Sequence, residues 1–128
     1  MLIYACLLFA ALMLVLTKLP VAWAQQRTGR YDNHDPRAQQ RELTGFGARA
    51  LAAHQNTIEA FPLFAAGVLV SVITAPGAPI ATTLAVIFVL VRLGYWGCYL
   101  ANIAALRSLL WGAGYLVSLA LMAMPLWM

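Results

Sequence analysis

Apolar residues dominate Met1 to Ala24, Leu63 to Ala75, Ile80 to Ala104 and the stretch from Arg107 to Met128, and one long polar segment breaks the pattern. A membrane-spanning helix needs about 20 mostly apolar residues. The pattern therefore predicts four transmembrane helices, over 1–24, 44–75, 80–104 and 107–128. Residues 25–43 (QQRTGRYDNHDPRAQQREL) hold Gly29, Pro36 and many charges, have no helical apolar stripe, and read as a polar connection outside the membrane. The second helix starts at Thr44 or Gly45 and carries Arg49, Asn56 and Glu59 in its first half and Pro62 in its middle. Pro76-Gly77-Ala78-Pro79 is a turn. Trp111 and Trp127, near the ends of the fourth helix, are placed as interfacial anchors.

Composition agrees with this layout. The 128 residues are 63% hydrophobic and 9% charged, whereas soluble domains run nearer ~45–50% apolar and ~25% charged. That excludes a soluble domain and a disordered tail, and two cysteines exclude a disulfide scaffold. The net charge of +4 is no nucleic-acid footprint, because most of the charged residues lie between Gln25 and Arg49 and are mixed in sign. Ala22-Trp23-Ala24 resembles a signal-peptide cleavage site, but no positive segment precedes the apolar stretch, which is long for a signal. The first helix is thus read as a span, with Lys18 extending its ammonium to the interface.

Arg27, Arg30, Arg37 and Arg41 crowd the first connection and Arg107 adjoins the third, so the positive-inside rule puts both in the cytoplasm and both termini on the other side. Cys6 and Cys98 then differ in depth by roughly 15–20 Å at ~1.5 Å per residue and should not pair within one chain. Gly94, Gly97, Ala101, Gly112 and Gly114 read as small residues for close helix packing. Cys98 reads as apolar filler. His34 belongs to the polar connection and His54 reads as loop-proximal or a subunit contact; with no spacing motif they make no metal site.

Ionisable residues inside spans need a reason, since a charge at the bilayer centre costs at least ~2.5–3.5 kcal/mol. Arg49, Asn56 and Glu59 share one face of the second helix, and Arg92, Tyr95, Trp96 and Tyr99 share one face of the third. With the orientation above, Asn56, Glu59, Tyr95, Tyr99 and Arg107 gather in the cytoplasmic half. The simplest explanation is a Glu59–Arg92 pair across two packed helices. The surplus of polar groups supports a second explanation, a site for an anionic, hydrogen-bonding ligand entering from the cytoplasm, with Arg gripping carboxylates and Glu with Asn holding an ammonium or amide.

The segment Arg49-Ala-Leu-Ala-Ala-His-Gln-Asn56-Thr-Ile-Glu59-Ala-Phe-Pro62 closely resembles the second-helix pattern of the MAPEG family, membrane-associated proteins in eicosanoid and glutathione metabolism. Arg92-x-x-Tyr95-x-x-x-Tyr99 and Leu106-Arg107-Ser108 are similar to the same family's third and fourth helices, and the chain looks like a bacterial-type member. The resemblance implies a left-handed four-helix bundle, a homotrimer in the inner membrane, and glutathione bound as thiol co-substrate between subunits near the cytoplasmic side. It also implies that Arg49, Asn56, Glu59, Arg92, Tyr95 and Tyr99 bind glutathione and that Arg107 is catalytic. A fixed guanidinium favours the thiolate of a thiol whose free pKa is ~8.5.

Two positions depart from the family pattern: Ala52 stands where glutathione-using members carry an arginine, and Ala60 where the eicosanoid enzymes carry a tyrosine. The interval from Tyr99 to Arg107 is one residue longer than in some members. The expected function is a glutathione-dependent transferase or peroxidase acting on lipophilic electrophiles or lipid hydroperoxides from the bilayer, with no metal and no nucleic-acid partner. A catalytically degenerate binding or accessory subunit is the alternative, and a small proton-coupled multidrug exporter a second one. Such exporters keep their essential carboxylate in the first helix, where this chain has none.

Overall fold

The computed structural model describes residues 1–127. Six helices, α1 (Leu2–Leu16), α2 (Lys18–Thr28), α3 (Pro36–Arg41), α4 (Gly45–Thr74), α5 (Pro79–Leu100) and α6 (Ala104–Met122), precede a 3-10 turn at Met124–Leu126. α1 and α2 form one rod, Leu2–Thr28, and this rod, α4, α5 and α6 are each long and apolar enough to cross a membrane. The chain is an all-α, multi-pass membrane bundle. Met128, the end of the predicted fourth helix, lies outside the described residues.

The first rod is interrupted at Thr17 because Pro20 has no N–H for the Leu16 carbonyl. The Thr17 hydroxyl donates to the Met13 carbonyl at 2.7 Å. Beyond this point the helix passes through Ala22-Trp23-Ala24, buries Ala24 and runs on to Thr28, past the limit read at Ala24. At ~1.5 Å per residue such a rod reaches about 40 Å, more than the ~30 Å hydrocarbon core, so its polar end projects beyond the core.

The segment expected to be a plain polar connection folds back as α3. Asp35 caps it, its carboxylate accepting the Ala38 N–H at 3.0 Å, and Pro36 opens the first turn. Gln25, fully buried, donates from Nε2 to the Pro36 carbonyl and to Gln39 Oε1, each at 3.1 Å. Gln39 Nε2 returns a bond to the Gln25 carbonyl at 3.3 Å. Side-chain amides hold this element, so an apolar stripe could not reveal it.

Pro62 lies inside α4, and Gly77, at φ 79°, turns the chain before Pro79 opens α5. α5 stops at Leu100, short of the predicted Ala104, and α6 starts at Ala104 instead of Arg107. Asn102 is the cause: it adopts φ 62°, the left-handed conformation that ends helices. The Ile103 N–H donates to the Cys98 carbonyl at 2.8 Å and the Asn102 N–H to the Tyr99 carbonyl at 3.2 Å, the paired closure of a Schellman motif. α6 also ends early, at Met122, ahead of Pro125 in the final turn.

The core is centred on Phe64 and Phe88, whose buried rings stack with centroids 3.8 Å apart and planes 2° from parallel. Val68, Leu121 and Met124 pack into the same cluster. Val21, Ala24, Leu43 and Ala50 form a second cluster at the polar end. Gly67 marks the close approach of α4 to α6, where an added Cβ would meet the Ser118 carbonyl oxygen at 2.8 Å. Gly94 faces Leu110 similarly, at 3.1 Å. Gly97 and Gly112, also read as packing residues, have nothing among the described residues within 4 Å of an added Cβ, so that reading is corrected within this chain. Cys6 on α1 and Cys98 on α5 are both buried and unpaired.

Candidate functional site

Arg92 lies on α5 with only 3% of its surface exposed. A guanidinium so placed needs acceptors, since an uncompensated buried charge costs several kcal/mol. α4 supplies two: Nη1 donates to Asn56 Oδ1 at 3.0 Å and Nη2 to Thr57 Oγ1 at 3.4 Å. The Asn56 amide nitrogen in turn donates to Glu59 Oε2 at 3.3 Å. The direct Glu59–Arg92 pair considered from sequence is thus replaced by a relay through an amide that donates at one end and accepts at the other.

On its other side the Arg92 guanidinium stacks over Tyr95, 4.3 Å from the ring centroid. Tyr95 meets Tyr99 edge to face at 5.5 Å, and the Arg107 guanidinium lies 4.4 Å from the Tyr99 centroid. Cationic groups over aromatic faces are attracted by the ring quadrupole. The result is one string of contacts from Glu59 through Asn56, Arg92, Tyr95 and Tyr99 to Arg107, crossing α4, α5 and the first turn of α6. The turn at Asn102 returns the chain within a few residues, which settles where Arg107 lies despite the longer interval after Tyr99.

Arg49 and Trp96 are not part of this string. Seven residues separate Arg49 from Asn56, roughly 10 Å along the helix. Its Nε is buried with no hydrogen-bond partner among the described residues, and so is the indole nitrogen of Trp96. His54, read as loop-proximal or a subunit contact, instead joins the Thr17 hydroxyl through Nδ1 at 3.0 Å, tying α4 to the break in the first rod.

A cavity of about 170 Å³ opens beside the string. Asn56, Glu59 and Arg92 form its polar end, and Leu63, Phe88 and Trp111 form apolar wall. Trp111, read as an interfacial anchor, also stacks on Tyr115 at 5.7 Å to extend that wall. Gly114 leaves room here, since an added Cβ would contact Arg92 Cδ at 3.6 Å. Tyr95, Tyr99 and Arg107 flank the cavity without lining it. Sequence reasoning missed Thr57, Phe88 and Tyr115; only Thr57 had a signal, a hydroxyl beside Asn56 on a membrane helix.

The arrangement puts the Arg92 guanidinium, a carboxylate and an amide next to an apolar wall, with two phenols and the Arg107 guanidinium continuing the polar string beyond it. It can grip a ligand with carboxylates and an amine while an apolar molecule lies alongside. No curated protein matches the chain in sequence. The sequence model of the MAPEG family, however, matches residues 2–127, which takes in every helix and every residue of the polar string, and the chain therefore belongs to the MAPEG family.

Proposed function

We propose that the protein is a glutathione-dependent membrane transferase or peroxidase that activates the glutathione thiol against lipophilic electrophiles or lipid hydroperoxides. Family membership is consistent with a glutathione-related membrane function. The observation that carries the finer reading is the string from Glu59 to Arg107, which joins ligand-gripping groups to a second guanidinium. Asn56 and Glu59 receive the amino and amide groups of the tripeptide, Arg92 takes a carboxylate, and Tyr95 and Tyr99 flank the site and link Arg92 to Arg107.

Arg107 is assigned the catalytic role. It sits in the first turn of α6, where free backbone N–H groups add a partial positive charge to that of the guanidinium. Both favour an ionised sulfur over a protonated one, and each unit of depression below a free thiol pKa of ~8.5 represents ~1.4 kcal/mol. Leu63, Phe88, Trp111 and Tyr115 offer the apolar wall along which a second substrate enters from the bilayer.

The cavity of about 170 Å³ is smaller than the ~300–1,000 Å³ of typical small-molecule sites. Glu59 is exposed on the chain's own surface. Both observations favour a site completed by a neighbouring copy in a homotrimer. By the positive-inside rule the site faces the cytoplasm, in a bacterial inner membrane.

A second reading, a binding or accessory subunit without turnover, is favoured by Ala52 and by the position of Arg49 outside the string. Incubating the purified full chain in detergent with glutathione and either an activated aryl halide or a lipid hydroperoxide separates the two. Consumption above the uncatalysed rate supports the enzyme. Glutathione binding with no consumption of either compound selects the accessory subunit, and neither binding nor turnover contradicts both.

A further inference from the structure

The fold-back of α3 builds a second cavity, of about 600 Å³, on the opposite side of α4 from the site above. Its lining includes Lys18 from α2, Arg37 and Arg41 from α3 and His54 from α4, and among the described residues no carboxylate lines it. We propose that this cavity binds a phosphate group, carried by the headgroup of an anionic phospholipid or as free phosphate.

Three observations converge on that chemistry. First, the cations are assembled by the fold. Lys18 is far from Arg37 in sequence, and the Gln25–Gln39 clamp brings α3 alongside α2. Arg37 and Arg41, one helical turn apart, present one face. Like charges gathered around one space repel, and an anion relieves the repulsion.

Second, two of the nearby acids are engaged elsewhere, and Glu42, at the C-cap of α3, does not line the cavity. The Asp35 carboxylate caps α3, and that of Asp32 accepts the N–H groups of His34 and Asp35 at 2.8 and 3.2 Å. Three cations around one volume suit a group with several anionic oxygens, for which the arginine fork is matched.

Third, the cavity sits at headgroup depth. Lys18 lies about 24 Å along the rod from Leu2, near the far boundary of a ~30 Å hydrocarbon core. Leu51 and the 48% exposed Ile58 continue the cavity wall below the cations, so polar and apolar parts are stacked as in a phospholipid. Basic pockets at the cytoplasmic end of membrane helices bind anionic headgroups in this manner. His54 points about 160° away from Asn56 around α4, which separates this cavity from the string.

Native mass spectrometry of the purified full chain, titrated with phosphatidylglycerol, phosphatidylcholine and inorganic phosphate, tests the proposal. Phosphatidylglycerol should bind saturably and about tenfold or more tightly than phosphatidylcholine, whose choline the cations repel. Arg37→Gln/Arg41→Gln, checked for helicity by circular dichroism, should lose that preference, whereas Arg30→Gln, outside the cavity, should keep it. Displacement of the lipid by millimolar inorganic phosphate assigns the site to phosphate itself, and retention assigns it to the lipid headgroup. Equal binding of the two lipids by the native protein, or an undiminished preference in the folded double variant, overturns the proposal. The comparison of lipids on the native protein stands even if the double variant does not fold.

Discussion

The Arg107 guanidinium lies 4.4 Å from the centroid of the Tyr99 ring although the two residues belong to different helices. What brings them together is Asn102 at φ 62°, which ends α5 and lets α6 begin two residues later. Non-glycine residues other than Asn or Asp visit this conformation at a cost of about 1–2 kcal/mol. Asn102→Ala should therefore lower the thermal midpoint in detergent, and Asn102→Gly should leave it near the native value. Equal midpoints for the two variants would rule out backbone conformation as the reason for the asparagine.

Arg92 makes three contacts that a lysine cannot reproduce together: to Asn56, to Thr57 and over the ring of Tyr95. An ammonium is a point charge without the planar fork. On the proposed function, Arg92→Lys is expected to weaken glutathione binding about tenfold, because hydrogen bonds to charged groups contribute ~1.5–3 kcal/mol. Calorimetric titration checks this, and a native affinity in the lysine variant would remove Arg92 from the binding site.

Two glycines separate packing from function. At Gly67 an added methyl meets the backbone oxygen of Ser118 at 2.8 Å, which only a shift of α6 relieves. Gly67→Ala should cost about 1–3 kcal/mol of stability. At Gly114 the nearest atoms are 3.5 Å or more away, so Gly114→Ala should fold normally and narrow the cavity beside Arg92 and, on the proposed function, raise KM for a lipophilic substrate. Thermal unfolding and steady-state kinetics on both variants would show whether the two effects separate.

Phe64 is fully buried and stacked on Phe88. Truncation to alanine removes the ring and leaves a void between α4 and α5. Phe64→Ala should destabilise the bundle by about 3–5 kcal/mol. Denaturation in mixed detergent micelles measures it, and a loss below about 1 kcal/mol would place the core elsewhere.

The four spans were legible because hydropathy over ~20 residues is a strong signal in a membrane protein. Asn56, Glu59, Arg92, Tyr95 and Tyr99 were legible as two helix faces, since ionisable and phenolic groups stand out against apolar neighbours. Their order in space was not. That Asn56 mediates between Glu59 and Arg92 depends on side-chain reach across the α4–α5 contact, which spacing along one helix does not encode. Arg49 shares the helical face of Asn56 yet lies nearly two turns away, so face alone overstated the cluster. α3 escaped notice because Gln25, Gln39 and Asp35 hold it through polar bonds, and Asn102 because a single left-handed residue leaves no periodic trace.

On the proposed function, the string ending at Arg107 holds a thiol as thiolate, and ultraviolet difference absorbance of the purified protein on adding glutathione reads that species directly. The native protein should give a saturable thiolate signal at millimolar glutathione, weakened in Glu59→Gln and lost in Arg107→Ala. No signal from the native protein, or an undiminished one in Arg107→Ala, would contradict it.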